Sequence, residues 1–185
     1  MGGRVIFTVI MAVMLVSITY GSAQVTSPTP TTPVVAPPPS SATNASQEFV
    51  DAHNQARKDV GVGPLKWSET LAKSASLTVR YQRDNRNCSF ADLSNSQYGG
   101  NQLRASGVAV PPRTAVGIWV SEKQYYDYGN NTCTQGRSSC GVYTQVVWKN
   151  SVELGCGQAQ CVKERSSLTV CFYNPPGNVV GEKPY

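Results

Sequence analysis

Six cysteines constrain the fold of this chain more than any other feature of its sequence. They are even in number, all lie from residue 88 onward in the 185-residue chain, and none forms a CxxC pair. That pattern is typical of an oxidised framework in an extracellular protein. The sequence therefore predicts a domain stapled by three disulfides, drawn from Cys88, Cys133, Cys140, Cys156, Cys161 and Cys171.

The first 45 residues are predicted to precede the folded domain. A positively charged start, a short apolar run and small residues at the cleavage spacing are typical of a secretory signal peptide over residues 1–23. The apolar run is too short to span a bilayer, so we expect no transmembrane segment. Residues 24–45 carry no charge and are rich in Pro, Ser and Thr, which predicts an unfolded linker. The folded domain is then expected at residues 46–185.

The net charge of the chain and its distribution limit the classes of partner that we expect. The formal net charge of +5 falls to +4 when the signal peptide, with its single Arg4 and no acid, is removed. The basic residues are spread along the chain without a run, so we do not expect a nucleic acid partner. Weak attraction to an anionic microbial or cell-wall surface is expected instead. The length fits one domain with its own core, and we expect a monomer.

Hydrophobic periodicity predicts four helices followed by a pair of strands. Ser68 is a suitable N-cap for the second helix, and the polar composition after residue 85 is typical of an irregular loop. The predicted elements are helices over 46–60, 68–82, 114–126 and 140–148, a loop over 85–107, and strands over 152–162 and 167–173 joined by a turn at 163–166.

Two ionisable side chains share the apolar faces of these predicted helices. His53 recurs with Phe49 and Ala56, and Glu122 recurs with Ala115 and Ile118. A carboxylate that faces inward needs a partner or a water-filled cleft. Two roles stay open for the pair: a structural His–Glu hydrogen bond that lines a pocket, or a ligand or proton-transfer role.

The sequence offers little material for catalysis. His53 is the single histidine, every cysteine is expected in a bridge, and the chain has no GxSxG, HExxH, P-loop or dinucleotide motif. We therefore expect a non-enzymatic protein without a cofactor. The alternative is a metal-dependent extracellular hydrolase that uses His53 and Glu122.

Sequons and strand register give two further expectations. Asn44, Asn87 and Asn130 begin N-glycosylation sequons, of which Asn87 is the weakest because the cysteine beside it is expected in a bridge. A turn centred near residues 164 and 165 places Cys171 close to Cys156. The favoured pairing is Cys156 with Cys171, Cys133 with Cys140 and Cys88 with Cys161, and fourteen other pairings stay open.

Short motifs follow one another in a fixed order through residues 46–185. They are Asp51-Ala-His-Asn54, Gly61-Val-Gly-Pro-Leu65 with Trp67, Trp119-Val-Ser-Glu-Lys123 with Tyr125-Tyr-Asp-Tyr128, Tyr143-Thr-Gln-Val-Val-Trp148, and Asn174-Pro-Pro-Gly-Asn178. This order resembles the CAP superfamily and, within it, the plant pathogenesis-related class 1 proteins, with a pistil-expressed branch closest. The resemblance implies an α+β fold, an α-β-α sandwich with a short antiparallel sheet between helical layers, and the same three bridges. It also implies a defence role in the apoplast or cell wall.

The resemblance further implies a cleft in which two His and two Glu can hold a divalent metal. His53 and Glu122 match two of those positions, whereas Gly100 and Val142 stand at the other two. Neither Gly nor Val can coordinate a metal through its side chain, so we expect no metal.

Two other properties implied by the resemblance do not need a metal. One is the binding of a sterol or related lipid at an apolar groove. The other is a C-terminal defence peptide, because residues 175–185 are similar to the peptide that plant relatives release by a cut that would fall between Asn174 and Pro175. The residues just upstream, Cys171-Phe-Tyr-Asn174, depart from the pattern of those relatives. A further hypothesis makes the folded domain only a carrier for that peptide.

Overall fold

The computed structural model of the chain describes residues 42–107, 109–134 and 140–185, with side chains from residue 45 onward. The expected signal peptide and most of the expected linker lie outside these residues. Helices α1 to α4 span Ala42–Lys58, Glu69–Asn85, Pro112–Ser121 and Gly141–Val146, and a 3₁₀ turn spans Glu122–Tyr125. Strands β1 to β6 span Lys66–Trp67, Gly99–Ser106, Tyr126–Asp127, Thr132–Cys133, Glu153–Cys161 and Ser166–Asn174.

Four of the strands form one sheet in the order β1-β5-β6-β2. The β5–β6 and β2–β6 pairs are antiparallel, and the short edge strand β1 runs parallel to β5. β3 and β4 form a separate antiparallel hairpin. β6 has a long partner strand on each side, whereas β5 meets only the two-residue β1 on its outer side, so β6 is the central strand on which the fold is built.

Side chains of β6 alternate between two apolar clusters, one on each face of the sheet. Cys171 and Tyr173 join the cluster formed with α1, α3 and α4, whereas Val170 and Phe172 join the cluster formed with α2. A Cβ added at Gly155 would overlap the backbone of α2, so that helix lies directly against β5. The result is the expected α-β-α sandwich, with α2 on one face and three helices on the other.

Three disulfides staple these layers, and they are the pairs favoured from the sequence. Cys88–Cys161 ties the segment after α2 to the end of β5, Cys156–Cys171 joins β5 to β6, and Cys133–Cys140 closes a short loop before α4. The turn between β5 and β6 occupies residues 162–165, one residue earlier than expected. That shift places Cys156 directly opposite Cys171.

The expected irregular loop over residues 85–107 contains β2, the longest of the four strands that sequence patterns did not predict. β2 begins at Gly99 and pairs along its whole length with β6. Its composition is Gly, Asn, Gln, Arg, Ala and Ser around a single Leu103, so strand propensity is weak. Pairing with the buried central strand outweighs this weak propensity.

Helix ends also differ from the expectation. α1 begins at Ala42, four residues before the expected start, and α4 ends at Val146. α3 begins at Pro112, which suits the first helical position because it lacks an N–H, and ends at Ser121 rather than 126. The face expected to be buried was right at Ala115, which is 0% exposed, and wrong at Ile118, which is 43% exposed; its neighbour Trp119, at 1%, is buried instead.

Arg57 is a buried cation that joins α1 to the end of α4. Its guanidinium donates to the backbone carbonyls of Val146 at 3.2 Å, Trp148 at 2.8 Å and Ser151 at 3.0 Å, and its Nε donates to Gly63 at 2.6 Å. Burial lowers its pKa to about 10, which leaves it charged at neutral pH. One side chain thus satisfies carbonyls that the short helix α4 and the turn after it leave unpaired.

We expect Arg57→Met to lower the free energy of unfolding by roughly 3 kcal/mol, because it leaves these buried carbonyls without a hydrogen-bond donor. Guanidinium denaturation of the purified protein measures the change. The matched control is Arg83→Met on the exposed surface of α2, where a loss within about 0.5 kcal/mol is expected. Equal losses in the two variants would contradict a structural role for Arg57.

Candidate functional site

His53 lies in the core and not in a cleft. Its side chain is 0% exposed, and it packs against the rings of Trp119 and Tyr173. Nδ1 donates to the carbonyl of Phe49 at 2.7 Å, since a carbonyl can only accept. Nε2 is then the unprotonated nitrogen and accepts from the Tyr173 hydroxyl at 2.8 Å. Both ring nitrogens are therefore in use.

The hydrogen bonds continue from Tyr173 across the sheet. Asn101 Nδ2 donates to the Tyr173 hydroxyl at 3.1 Å and to the carbonyl of Val142 at 2.8 Å. Burial lowers the pKa of His53 to about 4, with a smaller contribution from the charge of Arg57, and burial raises the pKa of Tyr173. His53 and Tyr173 are thus both neutral at physiological pH, and neither is poised to take up or release a proton.

Glu122 lies on the 3₁₀ turn after α3 and is partly exposed. Its carboxylate accepts from the backbone N–H of Val142, and desolvation raises the pKa of its carboxyl group. Among the described residues, its Oε2 is buried without a hydrogen-bond partner. Because His53 bonds to Phe49 and Tyr173, the His–Glu hydrogen bond considered above does not form.

The residues present do not fit a divalent metal. A Cβ added at Gly100 would lie 2.5 Å from Leu93 Cδ1, so a leucine methyl occupies the space where a ligand side chain would begin. Val142 packs against the core, and His53 has no free nitrogen. In residues 42–107, 109–134 and 140–185, no group of three or more His, Cys, Asp or Glu side chains could hold an ion. A hydrolase that used His53 and Glu122 would therefore lack its ligand set.

Apolar surface is instead available in a groove between α1 and α3, which we call the α1–α3 groove. Its volume is about 270 Å³. Arg113 in the groove wall forms an ion pair with Asp51 of α1, with 3.3 Å between Nη2 and Oδ2. The groove is lined by Ala52, Gln55, Ala56, Asp59, Arg113, Val116, Gly117 and Val120.

A second, larger cavity has a more polar lining. It has a volume of about 410 Å³ and lies between the start of α1, α2 and β5. Its walls mix the aromatic residues Phe49 and Trp67 with the charged residues Glu69, Lys73 and Arg80. Such a mixture suits a purely apolar ligand less well than the α1–α3 groove does.

The expected glycosylation sites fall in different surroundings. Asn130 is exposed at the tip of the β3–β4 hairpin, where its side-chain amide donates to Asp127 at 2.6 Å. Asn87 is also exposed, with a φ of 51°, beside the buried Cys88. The side chain of Asn44 lies outside the described residues. Glycosylation at all three positions stays a prediction.

Comparison with known proteins identifies the family. Residues 50–173 match the sequence profile of CAP, the cysteine-rich secretory protein family. The chain belongs to the CAP family. It is 67% identical over 141 residues to the STS14 protein of Solanum tuberosum, a match that covers 76% of this chain and 65% of that protein. It is 46% identical over 145 residues to pathogenesis-related protein 1A of Nicotiana tabacum, which covers 78% and 83%.

Solved structures agree on the CAP fold. The venom allergen-like protein 4 of Schistosoma mansoni is 26% identical with a TM-score of 0.56, covering 76% of this chain and 93% of that one. The crystal structure of NaASP2 with Zn²⁺ has a TM-score of 0.63 at 20% identity, over 82% and 90% of the two chains. At that identity the likeness shows the fold alone. No helix in the described part of this CAP chain is long and apolar enough to cross a membrane.

The CAP core depends on three residues to which sequence analysis gave no role. Asn101, Tyr173 and Arg57 are at most 1% exposed, and each bonds across elements distant in sequence. The burial of Arg57 could have been predicted from the sequence, because it lies four residues after His53 on the apolar stripe of α1. The roles of Asn101 and Tyr173 could not, since their pairing depends on the register of β2 with β6.

The neutral His53 makes the stability of this CAP domain depend on pH. In the unfolded chain the imidazole has a pKa near 6.5, so as pH falls below that value the unfolded state gains a proton that the folded state accepts only near pH 4. The part of the free energy of unfolding that depends on neutral His53 is therefore fully present above pH 6.5 and is lost as the pH falls toward 4. Between pH 7 and 4.5 we expect a loss of about 2 kcal/mol from this group.

Denaturation curves at both pH values measure this loss. His53→Gln keeps a donor and an acceptor but does not titrate. It is therefore the matched control, because any stability that it loses between the two pH values comes from the carboxylates and not from residue 53. The wild type should lose more stability than the variant over the same pH interval. Identical losses would show that His53 is not held neutral.

Proposed function

We propose that this chain is a secreted, non-enzymatic protein of the pathogenesis-related 1 type that binds a sterol or related lipid and acts at a microbial or cell-wall surface. One observation carries the proposal. The chain has an apolar groove open to solvent, whereas the residues that could hold a metal are absent or engaged in the core. The homology to defence-related proteins of plants supports the same role.

The α1–α3 groove supports lipid binding through its small side chains. Ala52 and Ala56 on α1 face Val116 and Gly117 on α3, so the two helices leave space between them. A Cβ added at Gly117 would contact nothing within 4 Å. The volume of about 270 Å³ lies just below the usual range of enclosed small-molecule pockets, roughly 300–1,000 Å³. A lipid would therefore lie partly exposed, with its polar group near Arg113.

Gly117→Leu should fill this groove and weaken the binding of a labelled sterol at least tenfold. The variant should also be slightly more stable, by up to about 1 kcal/mol, because leucine replaces glycine inside a helix. A loss of binding could then not be attributed to unfolding. Titration of the purified protein with the sterol, followed by fluorescence, measures both affinities.

Thr70→Leu adds an exposed leucine to α2, away from the groove, and is the matched control that should bind as the wild type does. Unchanged binding by Gly117→Leu would show that the lipid lies elsewhere. If the wild type binds no sterol at all, the proposed lipid mechanism fails.

We also propose that residues 175–185 are a second product, released as a defence peptide. Pro175 and Pro176 are exposed, while Asn174 ends the central strand β6. The test is mass spectrometry of apoplastic fluid from tissue that expresses the protein. A chain ending at Asn174 together with the matching peptide is expected, and an intact C-terminal segment in every molecule would contradict this role.

A further inference from the structure

We infer that the body of this protein is a receptor for its own C-terminal segment. The binding surface, which we call the cradle, is formed by α4, the β3–β4 hairpin and the residue Lys149. The segment, which we call the tail, is residues 175–185. The cradle keeps the tail bound after a cut between Asn174 and Pro175, so that displacement and not cleavage releases the peptide. This inference deepens the second product proposed above and rests on it.

The first anchor of the tail is a Gly-Asn pair on α4. The N–H of Gly177 donates to Gln145 Oε1 at 3.0 Å. Asn178 uses both ends of its amide, because Oδ1 accepts from the Thr144 hydroxyl at 2.7 Å and Nδ2 donates to the Gly141 carbonyl at 2.9 Å. An aspartate could not make the second of these bonds, so the site distinguishes an amide from an acid.

Contact with Trp148 explains the glycine in that pair. A Cβ added at Gly177 would lie 2.6 Å from Trp148 Cγ, well inside van der Waals contact. The tail backbone therefore lies directly on the indole ring, which is itself 2% exposed. Only glycine permits this approach without displacing the ring or the backbone.

The second anchor is Tyr185. Its ring stacks on Tyr128 with 4.7 Å between centroids and 9° between planes, and it meets Tyr126 edge-on. Its hydroxyl is 3.2 Å from the hydroxyl of Tyr143, and its backbone oxygen accepts from the Tyr128 hydroxyl at 2.8 Å. Aromatic stacking and hydrogen bonding thus act on the same side chain.

The two residues before Tyr185 extend this anchor. Lys183 Nζ lies 4.4 Å from the centroid of the Tyr128 ring and donates to the Gly129 carbonyl at 3.2 Å. Pro184 is buried, and its carbonyl accepts from the N–H of Lys149 at 2.7 Å. The cradle therefore recognises a Lys-Pro-Tyr sequence through the charge of the lysine, the buried proline and the stacked tyrosine ring.

Between the anchors the tail leaves the surface. Val180 is 99% exposed, and a cavity of about 260 Å³ lies between the tail, α4 and the hairpin. Residues 179–181 thus act as a connection between the anchors. The chemistry that the cradle recognises is a peptide with Gly-Asn followed, after four residues, by Lys-Pro-Tyr.

None of these anchors depends on the bond that would be cut. Asn174 belongs to the body, where its carbonyl accepts from the N–H of Val152 and its side chain donates to Glu153 at 2.7 Å. The carbonyl of Pro175, on the other side of the bond, accepts from the Ser151 hydroxyl at 2.8 Å. Cleavage would leave both anchors intact, and the product would be a two-chain complex.

The test supplies the tail in trans. A full-length chain with Asn178→Ala and Tyr185→Ala loses the contacts that these two side chains make in the two anchors but keeps every cradle side chain. A fluorescent synthetic peptide of residues 175–185 should bind this variant at least tenfold more tightly than it binds the wild type. In the wild type the tethered tail competes at an effective concentration on the order of millimolar.

The control peptide carries the same two alanines and should bind neither protein. If the unmodified peptide binds neither protein, or binds both equally, the inference is wrong. Should the double variant fail to fold, the Asn178→Ala chain, which loses only two side-chain hydrogen bonds, is assayed under the same criterion. Failure to find the cleaved peptide in apoplastic fluid would remove the second product alone, because this assay does not require cleavage.

Discussion

The structure depends on a line of neutral hydrogen-bonding groups that crosses one face of the sheet. It runs from His53 on α1 through Tyr173 on β6 and Asn101 on β2 to the carbonyl of Val142 on α4. Polar groups buried at this depth need partners within the protein, and each of these residues bonds across a boundary between elements; among the described residues, only Asn101 Oδ1 of this line is left without a partner. One helix, two strands and a second helix are thereby fixed relative to one another.

The same constraint explains why the histidine is unsuited to metal binding. A ligating imidazole needs a free nitrogen, and here both are committed to the core. Glu122, the other residue that matches the family cleft, contacts Val142 and not His53. The chain has kept the CAP fold, and the action that we propose for it depends on apolar contact in the α1–α3 groove and on peptide contact in the cradle. The short helix α4 contributes both to the core and to the cradle. Arg57 satisfies its C-terminal carbonyl at Val146, while Thr144 and Gln145 bind the tail.

Sequence reasoning reached the parts of this fold that depend on local periodicity. α1 and α2 carry clear apolar stripes, and the register of β5 with β6 indicated the Cys156–Cys171 bridge. β2 was missed because its stability comes from pairing with a buried strand and not from its own residues. In α3 the stripe that packs on α1 and α4 is Ala115, Val116 and Trp119, and it excludes Ile118. Contacts of Tyr185 with the β3–β4 hairpin join segments 57 residues apart and leave no local pattern.

We propose that this CAP protein works without a metal and carries an apolar ligand. Native mass spectrometry with elemental analysis of the secreted protein, before and after a chelator, tests it most directly. We expect less than a stoichiometric amount of any divalent ion, no change on chelation, and a lipid-sized adduct that survives the chelator. One divalent ion per chain, removed by the chelator together with the adduct, would contradict it.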